Sequence, residues 1–578
     1  MEPTTNALNL EEEIRAKRLF LLLLLLVGIV NMLQSIYTEI GNDEAYYFLY
    51  SEHLDWGYYD HPPMVGLLIA IGTQLFGVTT LGVRIGTIIL HLLSLPILFR
   101  LSECNLTRHN VLLFFIIAES TVMFTAYGFV TTPDAPLLFF SILFVYLFKK
   151  YTCSQHATWL QIILLALTMA CTMYSKYHGA IVISLMVLLN WRVMRRGSFW
   201  ISIAIAILLY LPHILWQVDH QFLTFQYHLS GRSSGFKWSL FPEYLGNQLA
   251  VFNPFLLIPF IIVSIRQLRE RHNKWHTLLA LFFWIVFFFF LLWNFKTRVE
   301  PHWTIIAAIA LIPVMTYKAS TVSYWGKYTM RALAPAMLLL VLVRIALVWD
   351  IATIPLEWHG GKKEAKALNK VLKERPLITL SGFQLPSKYH FYTGEMAHCL
   401  GAFTYRNTQF DFWNFDELYW GKEVIIKLDD DALSNPTIID GLTFYLSEIQ
   451  HYQPYKRLQV ALTSDLPEPL ERGHEYPITL TITNPYSKAY QVYHKELPLA
   501  LYACYIYTEN NRVYHGEYLM PQLERLPARI EPNETIEATA LFEVPEDISS
   551  GHVSLVLAPG TPTMGAATLN KPFEITIK

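Results

Sequence analysis

The feature that most constrains the fold is a series of long apolar segments in the first 350 residues. A membrane-spanning helix needs about 20 apolar residues. Segment 19–37 (LFLLLLLLVGIVNMLQSIY) meets this length and lacks a small-residue cleavage site, so it is predicted to be a retained span and not a signal peptide. Ten further spans are predicted at 81–99, 111–128, 133–148, 158–174, 179–191, 198–215, 247–265, 277–294, 302–317 and 332–349.

Segment 64–77 is too short to cross a bilayer and is predicted to be a re-entrant or interfacial helix. The composition agrees with a membrane protein, because only 16% of the residues are charged, against about 25% in soluble domains. The net charge of −2 gives no basis for a nucleic-acid partner, and none is predicted.

Basic residues predict the orientation of the spans in the cytoplasmic (inner) membrane. With a cytoplasmic N-terminus, seventeen Lys and Arg residues fall in inside segments and five in outside loops, as the positive-inside rule requires. The outside five are Lys176, Arg232, Lys237, Lys296 and Arg298. This orientation places on the outer face every unusual polar stretch, which are NDEAYY, DHPP, TTPDAP, SKYHG, LPHILWQVDHQF, YLGNQ and FKTRVEPHW. Their shared side predicts one outward-facing cavity.

Composition changes after residue 350 and predicts three domains: membrane domain 1–350, α/β domain 351–452 and β-sandwich 453–578. The segment GGKKEAKALNKVLKER is typical of an amphipathic helix, and PLITLSGF and GKEVIIKL are typical of strands. Period-2 stretches such as YPITLTITN and ETIEATALFEV predict the sandwich. The fold class is therefore an α-helical polytopic membrane protein of about eleven spans with a C-terminal extracytoplasmic α/β domain and a β-sandwich.

The outer face offers two sets of carboxylates. Asp43 and Glu44 are adjacent, have no basic residue near them in the sequence and need a counter-charge. Asp134 opens another span. A divalent metal such as Mg²⁺, Mn²⁺ or Zn²⁺, held by Asp43 and Asp134, would supply that charge. The alternative is a solvated acidic loop with Asp134 as a helix N-cap.

Other polar residues offer phosphate contacts. Asp60 and His61 precede two prolines that favour a rigid helix start, although a plain turn is the alternative. Lys176, next to His178 in SKYHG, is either a phosphate-binding cation or a lysine that reaches the headgroups. Further candidate cations are Arg232, Lys296 and Arg298. Carboxylates, cations and an outward cavity together predict a lipid-phosphate substrate.

The motifs DEAYY, DHPP, TPDAPL, SKYHG, LPHILWQ, YLGNQ and VEPHW, in this order, resemble the ArnT-like and protein-mannosyltransferase-like glycosyltransferases of the GT-C superfamily. The resemblance implies catalytic roles for Asp43, Glu44 and Asp134, and donor-binding roles for Tyr47, Asp60, His61, Lys176 and His178. Asp60-His61 stands where the family often has Glu-Lys, and His302 where Asn is common. Cavity or acceptor roles are implied for Gln248, Glu300, His302 and Trp303.

What the resemblance implies is transfer of a sugar, with inversion, from a polyprenyl-phosphate donor to an envelope acceptor at the outer face. The acceptor class stays open among a lipid A-like glycolipid, another glycan and a protein. Two alternatives come from other classes: a transporter or flippase of a lipid-linked or anionic substrate, and a binding or assembly protein. A transporter usually has repeated halves, and no internal repeat is visible in this sequence.

Overall fold

The computed structural model describes residues 2–229, 238–349, 356–428, 435–509, 512–520 and 523–578. The chain forms two compact units, Met1–His359 and Gly360–Lys578. The first unit is helical and the second is built on β-sheets. The predicted α/β and sandwich regions thus lie in one unit, because residues of both regions share a buried apolar core.

The helices of the first unit pack around a large apolar core. They are α1 (Glu2–Tyr37), α2 (Asn42–Glu52), α3 (Met64–Phe76), α4 (Thr80–Leu101), α5 (Arg108–Glu119), α6 (Val122–Ala126), α7 (Asp134–Cys153), α8 (Trp159–Ser175), α9 (Gly179–Leu189), α10 (Gly197–Asp219), α11 (Leu223–Leu229), α12 (Leu240–Phe252), α13 (Pro254–Glu270), α14 (Lys274–Asn294), α15 (Ala308–Thr321), α16 (Ser323–Tyr328) and α17 (Ala334–Val348). Short 3₁₀ turns occupy Trp191–Arg195 and Pro301–Ala307, and a π-helical turn joins α16 to α17.

Seven stretches in the described part of the chain are long and apolar enough to cross a membrane, or eight if the bent pair α12–α13 forms one span. The seven are Leu10–Tyr37, Thr80–Leu101, Asp134–Cys153, Gly197–Asp219, Lys274–Asn294, Pro301–Thr321 and Ser323–Val348. The predicted segments 158–174 and 179–191 correspond to helices of 17 and 11 residues, shorter than a full span. The short helix expected at 64–77 is confirmed as α3.

Two predicted spans are wrong as single straight helices. Segment 247–265 is divided between α12 and α13, which are bent by 101°. Asn253 at the bend has φ 71°, and Pro254 lacks the N–H that would continue the helix. Segment 111–128 is likewise broken, because α5 ends at Glu119 and Thr121 is extended before α6.

The helices beside the polar loops approach one another closely where the sequence has glycine. A Cβ on Gly72 of α3 would lie 2.1 Å from the carbonyl oxygen of Gly82 in α4. A side chain at either position would therefore force the helices apart. This packing fixes α3, and with it the Asp60-His61 turn that precedes it, against α4.

The second unit carries a mixed sheet and a sandwich. Its helices are α18 (Gly361–Leu372) and α19 (Gln384–Thr393), and its strands are β1 (Leu377–Thr379), β2 (Ala397–Cys399), β3 (Val424–Lys427), β4 (Pro436–Ile439), β5 (Leu442–Ile449), β6 (Gln459–Leu462), β7 (Glu475–Thr483), β8 (Tyr490–Gln491), β9 (Ala500–Glu509), β10 (Arg512–Leu519), β11 (Leu523–Glu524), β12 (Arg529–Ile530), β13 (Thr535–Glu543), β14 (Gly551–Thr561), β15 (Gly565–Ala566) and β16 (Phe573–Ile577). Short 3₁₀ turns occupy Gln409–Asp411 and Phe415–Tyr419.

The mixed sheet has the strand order β2-β1-β3-β5-β4, with parallel pairing around β1. The sandwich packs the sheet β10-β9-β14-β15, which also carries β16, against β11-β13-β7-β6. A separate two-stranded sheet pairs β12 with β8. The period-2 stretches are confirmed as strands β7 and β13, whose inward residues enter the core.

A buried ion pair stabilises this unit. Lys456 Nζ lies 2.6 Å from Asp411 Oδ1 and 2.9 Å from the Gly401 carbonyl oxygen. Burial raises the pKa of Asp411, and the charge of Lys456 opposes that rise. Asp411→Asn would leave the lysine charge buried without its counter-ion. We therefore expect the free energy of unfolding of this unit to fall by about 3–5 kcal/mol, measured as a lower melting temperature of the full chain.

Asp440→Asn is the matched control for that loss. Asp440 pairs with Lys370 at the surface, where both side chains are largely exposed. An exposed pair contributes about 0–1 kcal/mol, so this variant should melt close to the parent. Equal melting temperatures for both variants would contradict a stabilising role for the buried pair.

Candidate active site

The candidate site is built around a buried ion pair between two helix ends. Asp134 is the first residue of α7, and Lys176 follows the last residue of α8. Lys176 Nζ donates to both carboxylate oxygens of Asp134, at 2.9 and 2.8 Å, and each residue is only 3% exposed. Pro133 and not Asp134 occupies the N-cap position of α7, and Lys176 is buried against Asp134, so the alternatives of a helix cap and of a lysine reaching the headgroups are wrong.

Tyr47 is a buried residue whose phenol is affected by the charges of three predicted carboxylates. The pKa of its phenol is well above the ordinary value, first because the group is buried and then because of nearby negative charges. Those charges belong to Asp43, Asp60 and Asp134. The His61 ring contacts Tyr47 edge-on, with 5.6 Å between ring centroids. Asp43 itself is exposed on the first turn of α2, where it can meet a substrate.

His302 completes this cluster from a distant part of the chain. Its Nε2 lies 3.8 Å from Asp134 Oδ2. The side chain is one third exposed, so it faces both the buried carboxylate and the open side of the site. The structure thus brings together His61, Asp134, Lys176 and His302, which the sequence predicted to share one cavity.

Glu44 occupies a different environment from its neighbour Asp43. Arg84 Nε lies 2.8 Å from Glu44 Oε1, and Arg84 Nη2 lies 2.5 Å from Glu44 Oε2, with both side chains fully buried. The backbone N–H groups of Gly41 and Thr131 also donate to this carboxylate. Arg84 further donates to the carbonyl oxygens of Ser35, Thr38 and Glu39. Glu44 is therefore a structural anchor, which corrects its predicted catalytic role.

The Asp60-His61 turn is stabilised by contacts with nearby tyrosines of the same segment. The Tyr50 hydroxyl donates to Asp60 Oδ1, and Asp60 is buried. Tyr58 stacks on Tyr50 with 3.8 Å between ring centroids, and its N–H donates to the His61 carbonyl oxygen. Asp60 thus fixes the turn and is not placed to bind a phosphate, whereas His61 faces the cavity. As predicted, a helix begins directly after the two prolines.

A cavity of about 300 Å³ opens beside the ion pair. Polar groups at this cavity come from His61, Lys176, Tyr177 and His178. The remaining lining is apolar and mostly aromatic: Ile181, Phe225, Phe289, Phe290, Trp293 and Trp303. Phe289 is 41% exposed on the apolar helix α14, so one wall continues to the outer surface of that helix.

The end of α10 holds the loop that precedes the Asp60-His61 turn. His213 Nδ1 donates to the Trp56 carbonyl oxygen at 2.6 Å, and its Nε2 accepts from the Tyr177 hydroxyl at 3.0 Å. Trp216 Nε1 donates to Asp55 Oδ2 at 2.8 Å. The motif LPHILWQ therefore connects the loop to Tyr177 on the cavity wall.

Four further predicted site residues in the described ranges do not line this cavity. Lys296 is exposed, with its Nζ 6.0 Å from the centre of the Trp293 ring at the cavity edge. Arg298 is exposed and forms an ion pair with Glu243, so its charge already has a partner within the protein. Gln248 is buried and accepts from the Thr304 hydroxyl. The fourth, Glu300, is half-buried at the start of a 3₁₀ turn.

Arg232, and Lys237 with it, lie outside the described residues. Trp303 and His178 do lie at the cavity, where their rings are 5.1 Å apart. Among the described residues that line the cavity, the candidate cations are therefore Lys176 and the histidines.

The carboxylates do not fit the predicted metal site. Both oxygens of Asp134 accept from Lys176. Within the described ranges, no group of three or more His, Cys, Asp or Glu side chains is arranged to hold a metal ion. The metal requirement stays a prediction, and no step of the reaction proposed for this site is routed through a metal.

Sequence reasoning missed Arg84 and all of the aromatic wall except Trp303. Arg84 is a lone cation in the apolar helix α4, and an intramembrane charge needs a partner. That signal was available, although it did not identify Glu44 as the partner. Helix α14 is rich in Phe and Trp along its whole length, so its sequence does not single out Phe289, Phe290 and Trp293 as the residues that line the cavity.

Comparison with known proteins gives three similarities. The family model for dolichyl-phosphate-mannose-protein mannosyltransferase matches residues 60–216, a range that contains His61, Asp134 and Lys176. The lipid A galacturonosyltransferase RgtD of Rhizobium johnstonii is 23% identical over 291 residues, which are 47% of this chain and 59% of that protein. The match therefore spans less than two thirds of the relative's length.

The third similarity is structural. ArnT from Cupriavidus metallidurans superposes with a TM-score of 0.57 in the apo state and 0.58 when bound to undecaprenyl phosphate. Each superposition covers 74% of this chain and 97% of ArnT, at 12% and 13% identity, and establishes the fold alone. Together the three similarities support a GT-C superfamily glycosyltransferase, as the motifs predicted, and give no support to a transporter.

Proposed function

From its place in the GT-C superfamily, we propose that this membrane protein transfers a sugar from a polyprenyl-phosphate donor to an acceptor of the cell envelope. The reaction takes place at the extracytoplasmic face of the inner membrane, with the N-terminus in the cytoplasm and the second unit outside. The single observation that carries the proposal is a cavity that is lined by a buried lysine, by histidines and by aromatic side chains.

This cavity matches the chemistry of a lipid phosphate. The ammonium group of Lys176 and the His61 and His178 imidazoles offer donors for a phosphate. Aromatic side chains offer an apolar surface for an isoprenoid chain. Because Phe289 is exposed on an apolar helix, the lipid can enter from the bilayer with its tail still in hydrocarbon. ArnT bound to undecaprenyl phosphate has the same fold, which supports this class of donor.

The proposed reaction is one displacement at the anomeric carbon. Asp43 accepts the proton of an acceptor hydroxyl, whose oxygen attacks that carbon. The bond between the carbon and the phosphate oxygen breaks, and polyprenyl phosphate leaves with the electron pair. Lys176 and His61 stabilise the charge that develops on this leaving group. Attack opposite the leaving group inverts the anomeric configuration.

Asp134 has an indirect part in this reaction. Its two oxygens hold the Lys176 ammonium at the end of the cavity. The same carboxylate faces His302. The His302 ring therefore offers a cation or a hydrogen-bond donor on the open side of Asp134. Asp134 therefore positions Lys176 and is not required to touch the sugar.

The names of the relatives suggest which class of acceptor to test first, and the acceptor is part of the proposal. One relative is named a lipid A galacturonosyltransferase, so a lipid A-like glycolipid is the first acceptor to test. The family model is named for protein mannosylation, which makes protein hydroxyls the second. Both acceptors present hydroxyl groups at a membrane surface, as the proposed chemistry requires.

Mass spectrometry of envelope lipids and glycoproteins tests the function even while the sugar is unidentified. A strain without the protein should lose one glycosyl mass increment, and the wild-type chain should restore it. Asp43→Asn should lower transfer roughly 10²–10⁴-fold, the usual contribution of a general base. The measurement is the ratio of modified to unmodified acceptor at equal protein level.

Glu52→Gln is the matched control, because Glu52 is exposed at the other end of the same helix α2. It should restore the mass increment fully. An acceptor profile that is the same with and without the wild-type chain would refute the proposed function. Full activity of Asp43→Asn would refute the role of that carboxylate.

A further inference from the structure

A second cleft, of about 780 Å³, lies in the β-sandwich of the second unit. One side is the edge strand β6, which pairs with β7 and lies at the end of its sheet. The other side is formed by residues of β14 and β16 and by the segment that joins β15 to β16. All the lining residues belong to the second unit, so the cleft is separate from the candidate active site.

The polar groups of this cleft are fixed in position. Asn570 Nδ2 donates to the carbonyl oxygens of Leu458, at 3.4 Å, and Leu557, at 3.1 Å. Its Oδ1 has no protein partner among the described residues and is an available acceptor. Arg457 is held by Glu417 at 3.0 Å and by the Tyr486 ring. These contacts restrict both side chains before any ligand arrives, which lowers the entropic cost of binding.

The remaining lining combines donors with apolar surface. Gln459 and Lys571 are exposed, whereas Leu569 and Phe573 are half-buried. The aromatic ring of Phe573 lies in the same cleft as the amides and the lysine. This combination suits a sugar, which has a C–H face and a rim of hydroxyls. Among the described residues that line the cleft there is no carboxylate. Glu417 pairs with Arg457, so the charge of Lys571 is the one available to a ligand.

We propose that this cleft binds a short acidic saccharide, with a uronate carboxylate on Lys571. The hydroxyl groups then meet Asn570 Oδ1 and the Gln459 amide, and one sugar face packs on Phe573. The site retains a glycan at the protein independently of chemistry at Lys176. The inference goes beyond the proposed transfer reaction and does not depend on it.

Isothermal titration of the full-length protein in nanodiscs tests the site with trigalacturonate as the probe. We expect saturable binding that weakens as salt is raised, because the contact includes an ion pair. Lys571→Gln should weaken binding about two- to fivefold, because the ion pair that it removes is exposed to solvent. Gln459→Ala should weaken it by a smaller factor. Both side chains are exposed, so neither variant should disturb folding.

Three controls test whether the probe binds at this cleft. Lys495→Gln removes an exposed lysine elsewhere on the same unit and should bind the probe as the parent does. The double variant Lys176→Met/Asp134→Asn, which removes both charges of the buried pair, should also bind it unchanged, which distinguishes the cleft from the candidate active site. Maltotriose, a neutral trisaccharide, should bind more weakly than the probe. Absent binding, equal binding of maltotriose, loss in a double variant that still melts close to the parent, or an unaffected Lys571→Gln would each overturn the proposal.

Discussion

Replacing Lys176 by Met should lower the rate of sugar transfer by about 10²–10³-fold, as loss of one fixed donor to a developing anion does elsewhere. Lys176 Nζ is held by both oxygens of Asp134, and Lys176 is a buried residue that lines the aromatic cavity. In the proposed reaction it meets the phosphate oxygen from which the sugar departs. The measurement is the initial rate with purified protein at saturating lipid-linked donor.

Stability needs a separate control, because the variant leaves Asp134 buried and unpaired. The double variant Lys176→Met/Asp134→Asn removes both charges, and we expect it to melt closer to the parent than the single variant. It should remain as inactive as the single variant, since the missing donor is not restored. Lys296→Met, at an exposed lysine near the cavity edge, should keep most of the activity. Near-normal transfer by the double variant would refute the role of Lys176.

Replacing Glu44 by Gln should lower the free energy of unfolding of the first unit by about 3–5 kcal/mol. The Glu44 carboxylate accepts four hydrogen bonds, two from Arg84 and two from the backbone N–H groups of Gly41 and Thr131. A glutamine amide turns an NH₂ group toward some of these donors and leaves the arginine charge buried. The measurement is the temperature at which half of the detergent-solubilised protein aggregates.

Asp43→Asn provides the matched comparison, one residue away. Asp43 is exposed, so its loss should leave that temperature within error while transfer falls by the factor given above for Asp43→Asn. The two adjacent carboxylates thus separate into one that supports chemistry and one that supports the fold. Equal stability of both variants would contradict this division, as would full activity of Asp43→Asn.

Asp43 and Glu44 also show how much of the site can be predicted from the sequence. The sequence indicates that Asp43 and Glu44 need a counter-charge and predicts a metal, whereas the structure places Arg84, 40 residues later, on Glu44. An ion pair between distant residues leaves no periodic signal, and the lone arginine in α4 does not indicate which carboxylate it meets. Asp134 and Lys176 are both predicted as site residues, yet their direct contact is not.

The membrane class, the sheet-rich C-terminal region and the motifs that mark the site all follow from the amino-acid sequence alone, because hydropathy and period-2 alternation are local properties. Folding in three dimensions sets which helices break, as at Asn253, and which polar groups meet. It also places Lys176 at the end of an aromatic cavity, whose wall draws on α9, α11 and α14. Burial and contact depend on packing between distant segments, and only the folded chain brings those segments together.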